Sequence, residues 1–111
     1  MDPLDICRNI ICQKLSDYAE IPYAYGEIKT MTVFDKDNDS YLLLTVGWQD
    51  DRRIHGCLIH IDIIGDKLWI QRDGTEYGIA EELADAGIPR ENIVLGFHPS
   101  DVRKYTDYYK G

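Results

Sequence analysis

The stretch from Arg53 to Arg72 constrains the fold more than any other part of the chain. Side chains alternate across a strand, so Cys57, Ile59, Ile61 and Ile63 fall on one face and Leu58, His60 and Asp62 on the other. Gly65-Asp66 is a two-residue loop of the kind that closes tight hairpins. With those residues as the loop, Ile64 faces Lys67, Ile63 faces Leu68 and Ile61 faces Ile70, which gathers the apolar residues of both strands on one side. His60 then meets Gln71, and Asp62 meets Trp69, on the other. A one-residue slip would move Leu68 and Ile70 among the polar residues, so turn and pattern agree on the register. The expected unit is a hairpin with one buried and one mixed face.

Upstream, Leu4, Cys7, Ile11, Leu15 and Tyr18 recur at helical spacing, with Ile10 beside them. Asp2-Pro3 suits a helix start, since Asp accepts from free N–H groups and Pro is tolerated in the first turn. Ile21-Pro22 marks its end. A first strand is expected over Gly26 to Phe34, with either Ile28-Thr30-Thr32-Phe34 or Met31-Val33 turned inward. A second runs from Tyr41 to Trp48, with Leu42, Leu44, Val46 and Trp48 on one side. Asp73-Gly74-Thr75 ends the sheet and can cap a short helix from Gly78 to Ala86, closed by Gly87 and Pro89. Ile93 to Phe97 reads as a short extended run. Short connections between consecutive strands favour a meander. The expected architecture is α+β: a four-stranded antiparallel meander with an N-terminal helix and a short C-terminal helix packed on one face, residues 1–111 forming a single domain.

At 111 residues the chain can bury roughly two-thirds of its extended surface without metal or disulfide help. No apolar run approaches the ~20 residues of a membrane span and no leader opens the chain, so a cytoplasmic location is expected. Cys7, Cys12 and Cys57 are odd in number and lack zinc-type spacing, which suits reduced thiols. The formal net charge of −8 opposes a DNA phosphate field. It argues against autonomous DNA binding and for a protein partner, with a basic one suited to this charge.

Several residue groups invite a chemical reading. Asp35-x-Asp37-x-Asp39 resembles the opening of a calcium loop, but Ser40 and Val46 stand where such a loop needs Gly and a bidentate Glu, so a solvated hairpin loop is expected. His55, Cys57, His60 and Asp62 crowd into eight residues. Strand alternation puts the first two on one face and the last two on the other, which denies zinc a preformed bite. Glu27-Ile28-Lys29 matches half of a PD-(D/E)xK nuclease motif, without an upstream acid on a neighbouring strand. Arg72, Asp73, Glu76, His98 and Arg103 are polar groups at element ends, where functional residues gather. None of these sets assembles a reaction; no catalytic residue, metal or cofactor is assigned.

Three further stretches carry a family likeness: GWxxxxRxHGCxxHxDI, DGTExGIAxEL and VLGFHxxxxRxYT, read here through Trp48, Arg53, His55, Gly56, Asp73, Gly74, Thr75, His98 and Arg103. With these motifs in order over most of its length, the chain resembles the XisI family, the fdxN-element excision controlling factors of cyanobacteria. The closing DYYKG departs from the small apolar ending of that family. The resemblance implies an accessory protein in programmed excision of a DNA element, working beside a nuclease-like partner, XisH, while a separate recombinase cuts and rejoins DNA.

The expected function is therefore that of a non-enzymatic regulator acting through protein contact. Its interaction surface would be the mixed sheet face and aromatic tail: Trp48, His60, Asp62, Trp69, Tyr105 and Tyr108. The same face could form a homodimer. The family-motif polar residues are Arg53, His55, Asp73, Thr75, Glu76, His98 and Arg103. Two alternatives stay open: a metal-dependent nuclease using Glu27, Lys29, His60 and Asp62, and direct DNA binding through Arg52, Arg53, Arg72 and Arg103.

Overall fold

The computed structural model of the chain describes residues 2–22 and 26–111. In chain order its elements are α1 (Leu4–Ala19), β1 (Glu27–Asp35), β2 (Ser40–Gln49), β3 (Arg52–Ile64), β4 (Lys67–Asp73), α2 (Ile79–Asp85), a 3-10 turn (Arg90–Asn92), β5 (Ile93–Leu95) and α3 (Ser100–Arg103). The strands form one sheet in the order β1-β2-β3-β4-β5. The first four pair antiparallel as a meander, and β5 joins parallel to β4. The four-stranded antiparallel expectation is corrected to a five-stranded mixed sheet. A parallel neighbour needs a crossover connection, and α2 with the 3-10 turn provides it. Three residues are too few to announce either a partner or a direction from sequence.

The β3–β4 hairpin turns at Gly65-Asp66, with Ile64 opposite Lys67, Ile63 opposite Leu68, Asp62 opposite Trp69 and Ile61 opposite Ile70. Gly65 has φ +64°, the first central position of a turn whose twist matches its strands. Beyond Ile61 the register shifts: His60 lies opposite Arg72, not Gln71, and Ile59 opposite Asp73. Gln71 is the extra residue. A second shift, between β2 and β3, sets Leu43 opposite Ile59 but Leu44 opposite Cys57, leaving Leu58 as the extra residue. Opposed residues share a face. Cys57 therefore belongs to the face of Leu44, and Ile59 to that of Leu43, which corrects the expectation that Cys57 and Ile59 lie together.

α1 and α2 cover one face. Ile11 and Leu15, one turn apart on α1, are fully buried against Tyr41 and Leu43 of β2, Ile59 and Ile61 of β3, Leu68 and Ile70 of β4, and Ile79 and Leu83 of α2. Each such side chain contributes roughly 1.5–3 kcal/mol by leaving water. The first-strand ambiguity resolves in favour of Ile28, Thr30, Thr32 and Phe34: Thr32 lies opposite Leu43, Phe34 opposite Tyr41, and their rings sit 5.9 Å apart. Leu42, Leu44, Val46 and Trp48 occupy the other face, away from the helices. Cys7, Cys12 and Cys57 are free thiols whose pKa burial pushes up. No helix among the described residues is long and apolar enough to cross a membrane.

Local chemistry sets the helix boundaries. The Leu4 N–H donates to Asp2 Oδ1 at 2.9 Å and opens α1. At α2, the Ile79 N–H donates to Asp73 Oδ2 at 2.9 Å, while the Thr75 N–H and hydroxyl donate to Asp73 Oδ1. Arg8 ties α1 to the β1–β2 turn, donating from Nε and Nη2 to the two carboxylate oxygens of Asp39 at 2.8 and 3.0 Å. The Tyr41 hydroxyl donates to the same group at 2.9 Å.

The hydrogen bonds from Arg8 hold Asp39 below the usual carboxylate pKa, against burial, which raises it. A depressed carboxyl pKa stabilises the fold above the unfolded value and loses that contribution as pH falls through the folded value. Arg8→Met should lower the Tm at pH 7, and the gap from the parent should close as the pH falls from about 5 towards 2. Melting curves across that range check it. A second outcome concerns Gly47, where an added Cβ would stand 1.9 Å from the Glu27 carbonyl oxygen. Gly47→Ala should cost about 1–3 kcal/mol in urea unfolding, because the adjoining backbone of β1 must move.

Candidate interaction surface

The face opposite α1 and α2 is built from rows that run across the strands. One row reads Glu27, Trp48, Arg53; the next Lys29, Val46, His55; then Met31, Leu44, Cys57. Val33, Leu42, His60 and Arg72 follow, and Asp35, Ser40, Asp62 and Trp69 close the series. Apolar residues thus occupy the middle of the face and charged ones its margin. Met31 and Val33 are 38% and 40% exposed, and Trp48 is 48% exposed. These large apolar side chains are gathered on one face as a contiguous patch rather than scattered singly.

At one end of this face Asp62 accepts three hydrogen bonds: from Ser40 Oγ at 2.7 Å, His60 Nε2 at 2.9 Å and Gln71 Nε2 at 3.3 Å. Burial pushes its carboxyl pKa up, and the bonds from Ser40, His60 and Gln71 bring it down to a net lowering. The Ser40 hydroxyl donates to the carboxylate and not to the imidazole. The arrangement therefore lacks the serine-to-histidine proton path of a nucleophilic relay, and it positions polar groups instead. Beside it, the Arg103 guanidinium lies 5.3 Å from the centre of the Trp69 ring. Trp48, at the opposite end, has Arg53 5.3 Å from its ring centre and lines a recess with Gly26, Glu27 and Asp50.

His60, Asp62 and Trp69 are thus brought together, and Trp48 stands apart from them on the same face. Tyr105 is 82% exposed beside Lys104. Tyr108 turns to α2, where its hydroxyl donates to Glu81 and accepts from Arg90 Nη1 at 3.1 Å. Burial, then Glu81, pushes the Tyr108 pKa up to about 12. Arg90 and Tyr108 hold Glu81 down to about 2.

The family-motif residues mainly shape backbone. Asp73 and Thr75 build the start of α2, with the Gly78 N–H donating to Thr75 Oγ1 at 3.2 Å. Arg103 donates to the His98 carbonyl at 2.8 Å, which holds the turn that carries it to Trp69. The His98 ring packs 4.6 Å from Phe97. Arg53 donates to the Gly47 carbonyl at 3.4 Å. His55 and Glu76 are exposed.

The extra residue at Leu58 corrects one site argument. His55, Cys57, His60 and Asp62 all lie on the open face, not two on each side. They are strung out along β3 rather than converging: among the described residues no three His, Cys, Asp or Glu side chains are grouped to hold a metal ion. Asp35 instead accepts from the Asp37 and Asn38 N–H groups of its own turn, both at 3.1 Å. The nuclease set is also divided. Glu27 shares Arg53's row and Asp62 shares Asp35's row, roughly 26 Å further along β1 at ~3.3 Å per residue. Of the arginines, Arg52 and Arg53 sit by the β2–β3 turn, Arg72 beside His60 and Arg103 over Trp69, without forming one patch.

The tethers Arg8–Asp39 and Glu81–Arg90–Tyr108 escape a reading of local pattern, because their members are distant in sequence. Tyr18, whose hydroxyl donates to Glu82 and whose pKa burial and that partner push up to about 12, is a third case.

The XisI protein family model matches residues 1–109. A XisI-like protein from Anabaena variabilis ATCC 29413 is 36% identical and superposes with a TM-score of 0.87, over 95% of this chain and 96% of that one. The fdxN element excision controlling factor XisI from the same organism is 29% identical, with a TM-score of 0.83, over 99% of this chain and 100% of that one. A search of curated proteins returns no match. With the family match running over nearly the whole length and the whole fold superposing on a relative of 36% identity, the chain belongs to the XisI family.

Proposed function

We propose that this chain is a non-enzymatic, cytoplasmic accessory factor that controls excision of a DNA element by docking a protein partner, XisH, on the open face of its sheet. The observation that carries this reading is the apolar centre of that face, Met31, Val33, Leu42, Leu44 and Val46, which α1 and α2 leave uncovered and which Trp48 and Trp69 flank. Aromatic anchors around an apolar centre with a polar margin are the anatomy of a protein interface. Membership of a family that includes a protein named as an excision controlling factor supplies the setting.

The margin is mixed in charge, with Lys29, Arg53 and Arg72 beside Glu27 and Asp62. At this face the partner is selected by shape and apolar contact more than by a uniform field. The overall charge of −8 acts at longer range and disfavours duplex DNA as the primary ligand.

Co-expression with tagged XisH should retain this chain through gel filtration. Trp48→Ala should weaken the complex about thirtyfold, the scale of an aromatic anchor, with little change in Tm. Failure to co-elute, together with no change in any XisH activity when this chain is in excess, would sink the proposal. Retention of duplex DNA at low salt, lost as salt rises, would favour direct DNA contact instead.

A further inference from the structure

The two edges of the sheet are treated differently. β5 is three residues long, and the C-terminal tail runs beside it, with the Tyr109 N–H donating to the Ile93 carbonyl at 2.9 Å. β1 ends the sheet on the other side. It pairs with β2 over nine residues without a register shift and contains no proline. Among the described residues no segment hydrogen-bonds its outer edge. Shortness, bulges, proline, covering segments and charged side chains are the usual means of blunting a strand edge; among the described residues β1 has only the last, in Glu27, Lys29 and Asp35.

We propose that two copies of this chain pair antiparallel along their β1 edges, centred on Thr32, into one continuous sheet. This inference is independent of the XisH reading. A two-fold axis normal to the sheet keeps the helices of both copies on one side and opposes residues of like face. Centring on Met31 would set Glu27 against Asp35 of the partner subunit, a repulsion. Centring on Thr30 would leave Lys29 facing Met31 of the partner subunit. Centring on Thr32 sets Lys29 against Asp35 of the partner subunit, twice by symmetry, and Met31 against Val33 of the partner subunit. Thr32 meets its own copy. Of these three registers, this one pairs opposite charges within β1 and sets its two exposed apolar side chains, Met31 and Val33, against each other. Joined in this way, the two open faces become one surface of doubled width.

Sedimentation equilibrium of the full chain should give twice the 12.8 kDa monomer mass. Lys29→Glu should raise the dimer Kd about tenfold, by turning two attractions into repulsions, and Lys29→Glu with Asp35→Lys should restore it. Because Asp35 also holds its own turn, a second readout is needed. Thr32→Cys should form a disulfide-linked dimer on oxidation, since opposed strand residues lie within disulfide reach, and Met31→Cys should not. A chain that stays monomeric at about 100 µM overturns the proposal. So does a dimer unaffected by Lys29→Glu, or Thr32→Cys that does not cross-link. XisH retention is measured separately, so either proposal can fail without the other.

Discussion

Two inserted residues, Leu58 in β3 and Gln71 in β4, set which side chains reach the helices and which reach the open face. A strand has a side-chain period of two, so one extra residue inverts the phase of everything beyond it. The insertion at Gln71 sets Asp73 opposite Ile59, on the helix side. There its carboxylate receives the Ile79 N–H and starts α2. The insertion at Leu58 moves Cys57, His55 and Arg53 to the open face, in rows with Leu44, Val46 and Trp48.

From that phase follows the division of labour between the faces. Tyr41, Leu43, Ile59, Ile61, Leu68 and Ile70 meet α1 and α2 and form the core. The opposite face keeps an apolar middle with nothing packed over it among the described residues, and its polar groups bond one another at Asp62. The tail is held from two sides: Tyr108 is tethered to Glu81 and Arg90, and Arg103 reaches Trp69 from a turn anchored on the His98 carbonyl. One sheet edge is closed by that tail. These contacts give several family-motif residues a structural task, shaping the backbone around the surface.

Much of the surface was legible one strand at a time. The sequence placed Trp48 with Leu42, Leu44 and Val46, and Asp62 opposite Trp69, because alternation and a two-residue turn are local rules. Composition alone groups Tyr108 with the same surface, since an aromatic tail carries no sign of which side it packs against; the hydrogen bonds to Glu81 and Arg90 decide that. A strict period of two separates His55 and Cys57 from His60 and Asp62, and a single inserted residue defeats it. No residue in HGCLIH announces that insertion, as Leu58 fits a regular strand equally well.

The amino-acid sequence by itself determined the central hairpin, the start and end of α1 and α2, the capping role of Asp73 and the likeness to the XisI family, all through spacing, turn chemistry and motif order. Only the tertiary structure decided the parallel fifth strand, the phase changes at Leu58 and Gln71, and the tethers from Arg8 to Asp39 and from Tyr108 to Glu81. These depend on which segments meet in space. A three-residue strand, a one-residue insertion and an ion pair across thirty-one positions leave no periodic trace along the chain, because their stabilising partners lie on other elements.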